Sequence, residues 1–97
     1  MLSQEEIIST VNNELPYLKN QYGVKALSLF GSYSRGDEAG TSDIDMLVEL
    51  QEVIDLIDFI KLENYLGDLL GYRVDLVMKD SLKPRIRDRI LAEAVEI

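Results

Sequence analysis

The sequence predicts an α/β fold of the α+β kind, in which helices flank a small mixed β-sheet. Apolar residues recur every three or four positions near the start and in the middle of the chain, as on the buried side of a helix. Residues 43–50 and 72–78 alternate between two faces, which is typical of half-buried strands. The loop between the first two predicted strands leaves little room for the crossover helix that joins parallel neighbours. A mixed sheet is therefore expected rather than a purely parallel one.

The beginning of the chain is predicted to contain two helices. Ser3 and Glu6 have the spacing of a capping box, and apolar residues at every fourth position follow them. This pattern predicts a helix over residues 4–12. Pro16 would lose a hydrogen bond inside a helix but suits a first turn, so residues 16–21 are predicted to form a separate, short helix.

The rest of the chain is predicted to alternate between strands and helices. The first strand is rich in apolar residues, and a helix follows each of the other two strands. The predicted strands are residues 24–30, 43–50 and 72–78, and the predicted helices are residues 53–70 and 84–95. The acidic residues of the longer helix are expected on its solvent side: Asp55, Asp58 and Glu63.

Composition excludes several classes of protein. At 97 residues the chain is expected to form one domain over residues 1–97. The formal charge of −8 argues against an extended nucleic-acid-binding surface, because phosphate backbones are also negative. No apolar run approaches the roughly 20 residues of a membrane-spanning helix, and no signal-peptide pattern opens the chain. Without cysteine there is no disulfide framework, so a cytoplasmic location and no membrane partner are expected.

The chain contains neither histidine nor cysteine. Their absence excludes the usual zinc sites, Ser-His-Asp and Cys-His catalysis, and acid–base chemistry by imidazole. Carboxylates and other oxygen ligands remain, and hard cations such as Mg²⁺ prefer these ligands. Catalytic chemistry in this chain is therefore expected to depend on carboxylates.

Three aspartates on predicted strands are the candidate metal ligands. Asp43 and Asp45 leave the same face of one strand with their Cα atoms roughly 6.6 Å apart. At an effective dielectric constant of about 20, two charges at that separation repel by about 2.5 kcal/mol, a cost that a divalent cation removes. Asp75 lies between Val74 and Leu76 on the third strand, where limited solvation is expected. Asp75 is therefore the natural third ligand.

The segment after the first strand has the composition of a phosphate-binding turn. Gly31 lets backbone N–H groups approach a phosphate, and the hydroxyl of Ser32 can donate to its oxygens. Arg35 is placed to stabilise charge on a phosphate during transfer, although a surface salt bridge with Asp37 or Glu38 is the alternative. We therefore predict nucleotide binding by Gly31, Ser32 and Arg35, and a catalytic role for Arg35.

The spacing of these residues resembles a known enzyme signature. The signature is carried by residues 31–36, GSYSRG, and by residues 42–48, SDIDMLV. Both runs resemble those of nucleotidyltransferases related to DNA polymerase β. Within that group the chain resembles the minimal nucleotidyltransferase (MNT) antitoxin family over essentially its whole length. One departure is Ser34, where many relatives carry alanine, and it touches none of the predicted roles.

The resemblance implies a nucleotidyltransferase fold, ATP as substrate and catalysis with two Mg²⁺ ions. Asp43 and Asp45 would bind both ions, and Asp75 would hold one of them and help to deprotonate the attacking hydroxyl. The resemblance further implies an AMPylating antitoxin, an adenylyltransferase that moves AMP onto a tyrosine of a HEPN-type toxin. The gene of that toxin is expected next to the gene of this chain.

Other functions are compatible with the sequence. A catalytically weak chain of the same fold would neutralise a toxin by direct association alone. Modification of a small molecule such as an aminoglycoside is disfavoured because such relatives usually carry an extra helical domain, and modification of tRNA is disfavoured by the charge of −8. The sequence is compatible with a monomer and with a homo-oligomer. A basic cluster could meet ATP phosphates, an acidic partner or only solvent: Lys83, Arg85, Arg87 and Arg89.

Overall fold

The structure, a computed structural model, describes residues 3–31 and 43–97. Within these ranges the chain forms three α-helices, one 3-10 helix and a four-stranded sheet. The helices are α1 (Gln4–Tyr22), α2 (Leu56–Leu70) and α3 (Pro84–Glu93), with the 3-10 helix over Lys79–Ser81. The strands are β1 (Val24–Phe30), β2 (Ile44–Leu50), β3 (Val74–Met78) and β4 (Val95–Glu96). No helix within these ranges is both long enough and apolar enough to cross a membrane.

The sheet is mixed, as predicted. Its strand order is β3-β2-β1-β4. Strand β1 runs antiparallel to both of its neighbours, β2 and β4, whereas β2 and β3 are parallel. Helix α2 connects the two parallel strands, because a parallel pair needs a crossover connection. The short β1–β2 connection joins an antiparallel pair, which is the arrangement that its length favours.

The hydrophobic core lies between one face of the sheet and helices α1 and α2. On β2 this first face of the sheet carries Ile44, Met46 and Val48, all of which are buried. Successive side chains of a strand point to opposite faces, so the second face carries Asp45 and Glu49. Burial of the first face therefore determines on which side of the sheet the acidic residues lie.

One continuous helix, α1, replaces the two predicted helices. Pro16 lies inside α1 and is exposed. Ile7, Val11 and Leu18, which precede and follow the proline, are all fully buried in the core. An interior proline costs about 3 kcal/mol, but burial of each large apolar side chain contributes about 1.5–3 kcal/mol. The prediction of a break was wrong because packing outweighs the local preference of proline.

The predicted start of α1 is confirmed. The Ser3 Oγ accepts a 3.1 Å hydrogen bond from the Glu6 backbone N–H, and the Ser3 backbone N–H donates a 3.2 Å hydrogen bond to the Glu6 carboxylate. This reciprocal capping box satisfies two donors that the first turn of a helix leaves free. The sequence spacing alone was sufficient to predict it.

Helix α2 begins later than predicted. The Asp55 carboxylate caps the helix by accepting a 2.8 Å hydrogen bond from the Asp58 backbone N–H, which leaves Val53 outside the helix. The predicted apolar stripe also divides into two parts, because its early residues are exposed and only its later part reaches the core. The buried residues of α2 are Leu62, Leu66 and Leu70, and the exposed apolar residues are Val53, Leu56, Ile57 and Ile60.

The end of the chain differs from the prediction as well. Helix α3 starts at Pro84, as expected, but ends at Glu93. Residues Val95–Glu96 then form strand β4, which pairs antiparallel with Ser28 and Leu29 of β1. The sequence pattern did not predict β4 because two residues are too few to show the alternation of a strand.

The outer edge of the sheet at β3 is held by a side chain of α2. The Glu63 carboxylate accepts a 2.9 Å hydrogen bond from the backbone N–H of Leu76. The bond satisfies a main-chain donor of an edge strand, which would otherwise be free to pair with another strand. Glu63 was predicted to face solvent, and that prediction was wrong because the residue borders the buried stripe of α2.

Removing the acceptor at Glu63 should destabilise the fold. We expect Glu63→Ala to lower the free energy of unfolding by about 1–3 kcal/mol, because the Leu76 N–H loses its partner. Glu63→Gln keeps an acceptor oxygen and should lose less than half as much. Urea unfolding measures both changes, with Asp68→Ala as the control for an exposed carboxylate on the same helix. Equal losses in the Glu63→Ala and Asp68→Ala variants would contradict this role.

Candidate active site

Two of the predicted aspartates lie side by side in the sheet. The parallel pairing of β2 with β3 places Ile44 opposite Val74 and Asp45 opposite Asp75. Ile44 and Val74 are both buried on the first face, so Asp45 and Asp75 both belong to the second face. Neighbouring strands lie roughly 4.8 Å apart, which brings the two residues close together. The β2–β3 pairing thus joins two residues that are far apart in sequence.

Asp43 stands immediately before β2. The strand alternation places Asp43 on the same face as Asp45, roughly 6.6 Å away along the chain. The next residue, Ile44, donates a 2.9 Å backbone hydrogen bond to the carbonyl of Arg73. This bond ties the start of β2 to the start of β3, and so the backbone of Asp43 lies beside Arg73, two residues before Asp75. All three predicted ligands occupy one end of this strand pair.

Gly31 packs directly against Asp45. Gly31 has a φ of +75°, a left-handed conformation that side-chain-bearing residues rarely adopt. If it carried a Cβ, that atom would overlap the Asp45 Oδ2 and would lie 3.2 Å from the Asp45 Cγ. The glycine therefore meets two demands at once, since it ends β1 with a turn and leaves space for the Asp45 carboxylate. The sequence suggested only the approach of a phosphate at this position.

The three carboxylates differ in their exposure to solvent. Asp43 and Asp75 are exposed, and Asp45 is half-buried. The expectation that Asp75 is poorly solvated was wrong, because β3 is an edge strand and Asp75 points away from the core. Within residues 3–31 and 43–97, no group of three or more His, Cys, Asp or Glu side chains is arranged as a ready metal cage. The backbone brings the aspartates together without a preformed cage of three carboxylates among the described residues.

This arrangement fits magnesium better than it fits a metal that needs a closed cage. Mg²⁺ takes oxygen ligands and usually binds through one or two carboxylates together with waters and substrate phosphates. Asp45 and Asp75 supply such oxygens on adjacent strands, and Asp43 adds another on the same face. The donor chemistry and the backbone positions suit this ion in a site that a nucleotide would complete.

Two of the predicted nucleotide-binding residues lie outside the described part of the chain. Ser32 and Arg35 both fall within residues 32–42. Gly31, which precedes them, lies at the end of β1, and Asp43, which follows them, lies at the start of β2. The described residues therefore place the two ends of this segment next to the aspartates.

A second charged group shares the face of Asp45. Glu49 accepts a 3.1 Å hydrogen bond from the Lys79 ammonium and forms a 3.3 Å ion pair with Lys25. The hydrogen bond from Lys79 and then that from Lys25 lower the pKa of Glu49. These contacts link β2 to β1 and to the 3-10 helix, and they keep Glu49 ionised near the carboxyl end of β2, away from Asp45.

A small cavity adjoins this charged group. It has a volume of about 190 Å³, and its lining includes Ser28, Leu47, Lys79 and Leu91. Small-molecule sites usually measure about 300–1,000 Å³, so this cavity is too small to enclose a nucleotide alone. Leu91 shows that the later part of α3 lies over the second face of the sheet. The cavity is best understood as the packing gap beneath α3.

The chain matches a family model described as a nucleotidyltransferase domain over residues 11–97. It belongs to the nucleotidyltransferase domain family. This nucleotidyltransferase is 46% identical to the protein adenylyltransferase MntA of Thermococcus cleftensis, in an alignment that covers 100% of this chain and 98% of the relative. The chain is therefore an enzyme that transfers nucleotidyl groups.

Solved structures share the fold of this nucleotidyltransferase. A minimal nucleotidyltransferase has a TM-score of 0.82 and 33% identity, with 99% of this chain and 97% of that chain covered. A toxin–antitoxin structure with AMP-PNP has a TM-score of 0.71 and 27% identity over 98% of this chain and 72% of that chain. One chain in the structure of a tri-AMPylated Shewanella oneidensis HEPN toxin in complex with MNT antitoxin has a TM-score of 0.69 and 25% identity, with 96% of this chain and 70% of that chain covered. These likenesses confirm the predicted nucleotidyltransferase fold.

Three structural contacts of this nucleotidyltransferase were not predicted from its sequence. The contact between Gly31 and Asp45 could not be predicted because it depends on the pairing of β1 with β2. The contact of Lys79 with Glu49 could not be predicted either, since the two residues are distant in sequence. Glu63 did carry a signal, because it follows the buried Leu62 and so borders the core side of α2.

Alanine at Gly31 should destabilise the fold more than alanine at an unobstructed glycine. Gly23 has nearly the same φ, +69°, but a Cβ there would meet nothing within 4 Å. We expect Gly23→Ala to cost about 1–2 kcal/mol for the left-handed backbone alone. Gly31→Ala should cost about 1–3 kcal/mol more, because its Cβ displaces the Asp45 carboxylate. Thermal or urea unfolding of the two variants tests this, and equal losses would refute the contact.

The ion pairs of Glu49 predict a pH dependence of stability. Because the pKa of Glu49 is lowered from 4.5 in the folded state, its contribution is fully present above that value and is lost as the pH falls through the lowered pKa. Glu49→Gln should therefore be less stable than the wild type at pH 7, and the difference should shrink at acidic pH. Urea unfolding at several pH values measures it, with Glu5→Gln as the control for losing one carboxylate. A difference that stays constant with pH would contradict the pairing.

Proposed function

We propose that this nucleotidyltransferase transfers AMP from magnesium-bound ATP to a tyrosine hydroxyl of a HEPN-type toxin. The observation that carries the proposal is the in-register placement of Asp45 beside Asp75, with Asp43 on the same face, in a chain of this family. The 46% identity to a protein adenylyltransferase supports AMP as the transferred group and a protein as the acceptor. The solved likenesses with AMP-PNP and with an AMPylated HEPN toxin support ATP and the toxin. The chain would thereby act as an antitoxin.

Asp43 and Asp45 have the role of holding the nucleotide in position. Together with Asp75 they would hold two Mg²⁺ ions, which when bound supply Lewis-acid stabilisation of the negative charge on the phosphates. Because Asp43 and Asp45 are both negatively charged, a cation between them is favourable. Gly31 contributes by leaving room for the Asp45 carboxylate at the end of β1. The chain thus acts mainly by positioning charge.

We assign Asp75 the role of taking up the proton that the acceptor tyrosine loses. The tyrosine oxygen attacks the α-phosphorus of ATP, a new P–O bond forms, and the bond from that phosphorus to the departing pyrophosphate breaks. The phenolic proton passes to the Asp75 carboxylate and from there to solvent. The exposure of Asp75 suits this role, because a bulky protein acceptor must reach the carboxylate and water must remove the proton.

Ser32 and Arg35 complete the proposed site. We assign the Ser32 hydroxyl a hydrogen bond to a phosphate oxygen. We assign the Arg35 guanidinium the role of stabilising the negative charge that develops on the phosphate during transfer. Both residues belong to the segment whose ends, Gly31 and Asp43, lie beside the other aspartates. Their positions in the chain support these roles.

A binding module that neutralises the toxin by association alone is the second candidate. Two observations favour it. The described carboxylates form no preformed cage of three, and several apolar side chains of the α2 region are exposed. Such a module would protect cells from the toxin even after loss of its aspartates.

Loss of two aspartates should abolish AMP transfer. With α-labelled ATP, Mg²⁺ and the HEPN-type protein encoded beside this chain, we expect label on the toxin with the wild type and at least about 100-fold less with Asp43→Asn plus Asp45→Asn. The matched control is Asp68→Asn plus Asp88→Asn, which removes two exposed carboxylates elsewhere. Circular dichroism verifies that both variants are folded.

Two results would count against the enzyme. Label transfer that survives the double aspartate substitution would remove these residues from the chemistry. Full protection of toxin-expressing cells by the same variant would show that association is sufficient, in favour of the binding module. Loss of protection with retained toxin binding is the result that the proposed function predicts.

A further inference from the structure

A group of exposed apolar side chains has no role in the proposed chemistry. Val53 is 99% exposed, Leu56 71%, Ile57 65% and Ile60 44%, and Met78 at the end of β3 is 40% exposed. We call these five residues the α2 apolar surface. Single exposed apolar residues are ordinary, but a contiguous group is typical of an interaction site.

The fold explains why these residues form one surface. Leu56 and Ile60 are one turn apart on α2, and Ile57 is adjacent to them on the helix. Val53 lies in the preceding connection and lines a groove of about 370 Å³ together with Met78. The core-facing stripe of α2 is a different one, formed by Leu62, Leu66 and Leu70. Turning α2 to bury the exposed residues would therefore expose the core.

The surroundings of this surface are acidic. Residues 51–61 contain three acidic residues, Glu52, Asp55 and Asp58, against one basic residue, Lys61. Asp80 lines the same groove as Val53 and Met78. Lys79, the basic residue next to Met78, is already engaged by Glu49. A partner that brings positive charge around an apolar centre would match this pattern.

The net charge distinguishes a basic partner from a second copy of the chain. Each copy carries a formal charge of −8, so two copies repel each other at long range. A cationic protein is attracted by the same charge, which raises its rate of association. The observations therefore favour a different, basic protein as the occupant.

The α2 apolar surface and the aspartates lie toward opposite ends of the strands. Met78 ends β3 and Val53 follows the end of β2, whereas Asp45 and Asp75 are near the starts of the same strands. At 3.3 Å per residue, Asp45 is roughly 17 Å from Leu50 along β2, and Asp75 is roughly 10 Å from Met78 along β3. A protein that docks on this surface leaves the aspartates accessible.

We propose that the α2 apolar surface is the docking surface for the protein that this enzyme acts on or controls, and that this protein presents apolar side chains flanked by lysine or arginine. The proposal rests on the proposed function for the identity of the partner, a HEPN-type toxin. Docking at one end of the sheet holds the partner, and the aspartates at the other end are left for chemistry.

Binding can be tested separately from chemistry. The full chain with Asp43→Asn and Asp45→Asn is titrated with the purified HEPN-type toxin by calorimetry, so that no transfer occurs. In this background we expect Val53→Ser plus Ile57→Ser to raise Kd at least tenfold, since both side chains are exposed and their loss leaves the core intact. Ile86→Ser, at an exposed apolar residue of α3, is the control and should bind as tightly as the parent.

The charge of the partner is tested by a matched pair of substitutions. Glu52→Lys beside the surface and Glu5→Lys on α1 change the net charge equally, and both positions are exposed. We expect Glu52→Lys to weaken binding several-fold at low salt and Glu5→Lys to have a smaller effect. Equal effects of the two substitutions would show that the partner does not sense the acidic residues around the α2 apolar surface, and would overturn the proposal of a basic partner docked there.

The remaining outcomes separate this proposal from the proposed function. Absence of toxin binding, or unchanged binding by the Val53→Ser plus Ile57→Ser variant, overturns the docking surface even if AMP transfer is observed. Loss of binding in that variant supports the surface even if the wild type transfers no AMP. Sedimentation of the wild type as a dimer that the same substitutions dissociate would assign the surface to self-association and overturn the proposal.

Discussion

The parallel pairing of β2 with β3 is the constraint on which the candidate site depends. It places Asp45 opposite Asp75 although thirty positions separate them in the sequence. The pairing is maintained from the core side, where Ile44 and Met46 are buried under the helices, and a slip of one residue would move these side chains into solvent. Burial of one face of the sheet thus positions the carboxylates of the other.

Several local features protect that pairing. The backbone bond from Ile44 to Arg73 holds the two strands together where Asp43 begins, and Glu63 supports the outer side of β3 at Leu76. Gly31 leaves room for the Asp45 carboxylate at the end of β1. The opposite end of the same strands is different in character, since it presents exposed apolar side chains among acidic ones. The molecule therefore separates its candidate chemistry from its proposed docking surface along the strand axis.

The sequence predicted those parts of the structure that depend on local pattern. The limits of β1, the capping box at Ser3 and the mixed character of the sheet were all readable from spacing and from the length of one connection. The continuity of α1 through Pro16 was not, because it depends on burial against distant elements. The contact of Asp45 with Gly31 and the exposure of Asp75 likewise depend on which strands are neighbours and which are at the edge. Alternation along β2 gave the face of the acidic residues but not their partners.

We propose that Asp43, Asp45 and Asp75 together hold divalent cations when a nucleotide is present. The decisive measurement is a crystal structure of the full chain with Mn²⁺ and a nonhydrolysable ATP analogue, recorded at a wavelength where manganese scatters anomalously. We expect anomalous peaks within about 2.0–2.6 Å of carboxylate oxygens of these three residues. Anomalous peaks only elsewhere on the surface, or no peak beside Asp45 and Asp75 with the nucleotide bound, would show that these residues do not form the metal site.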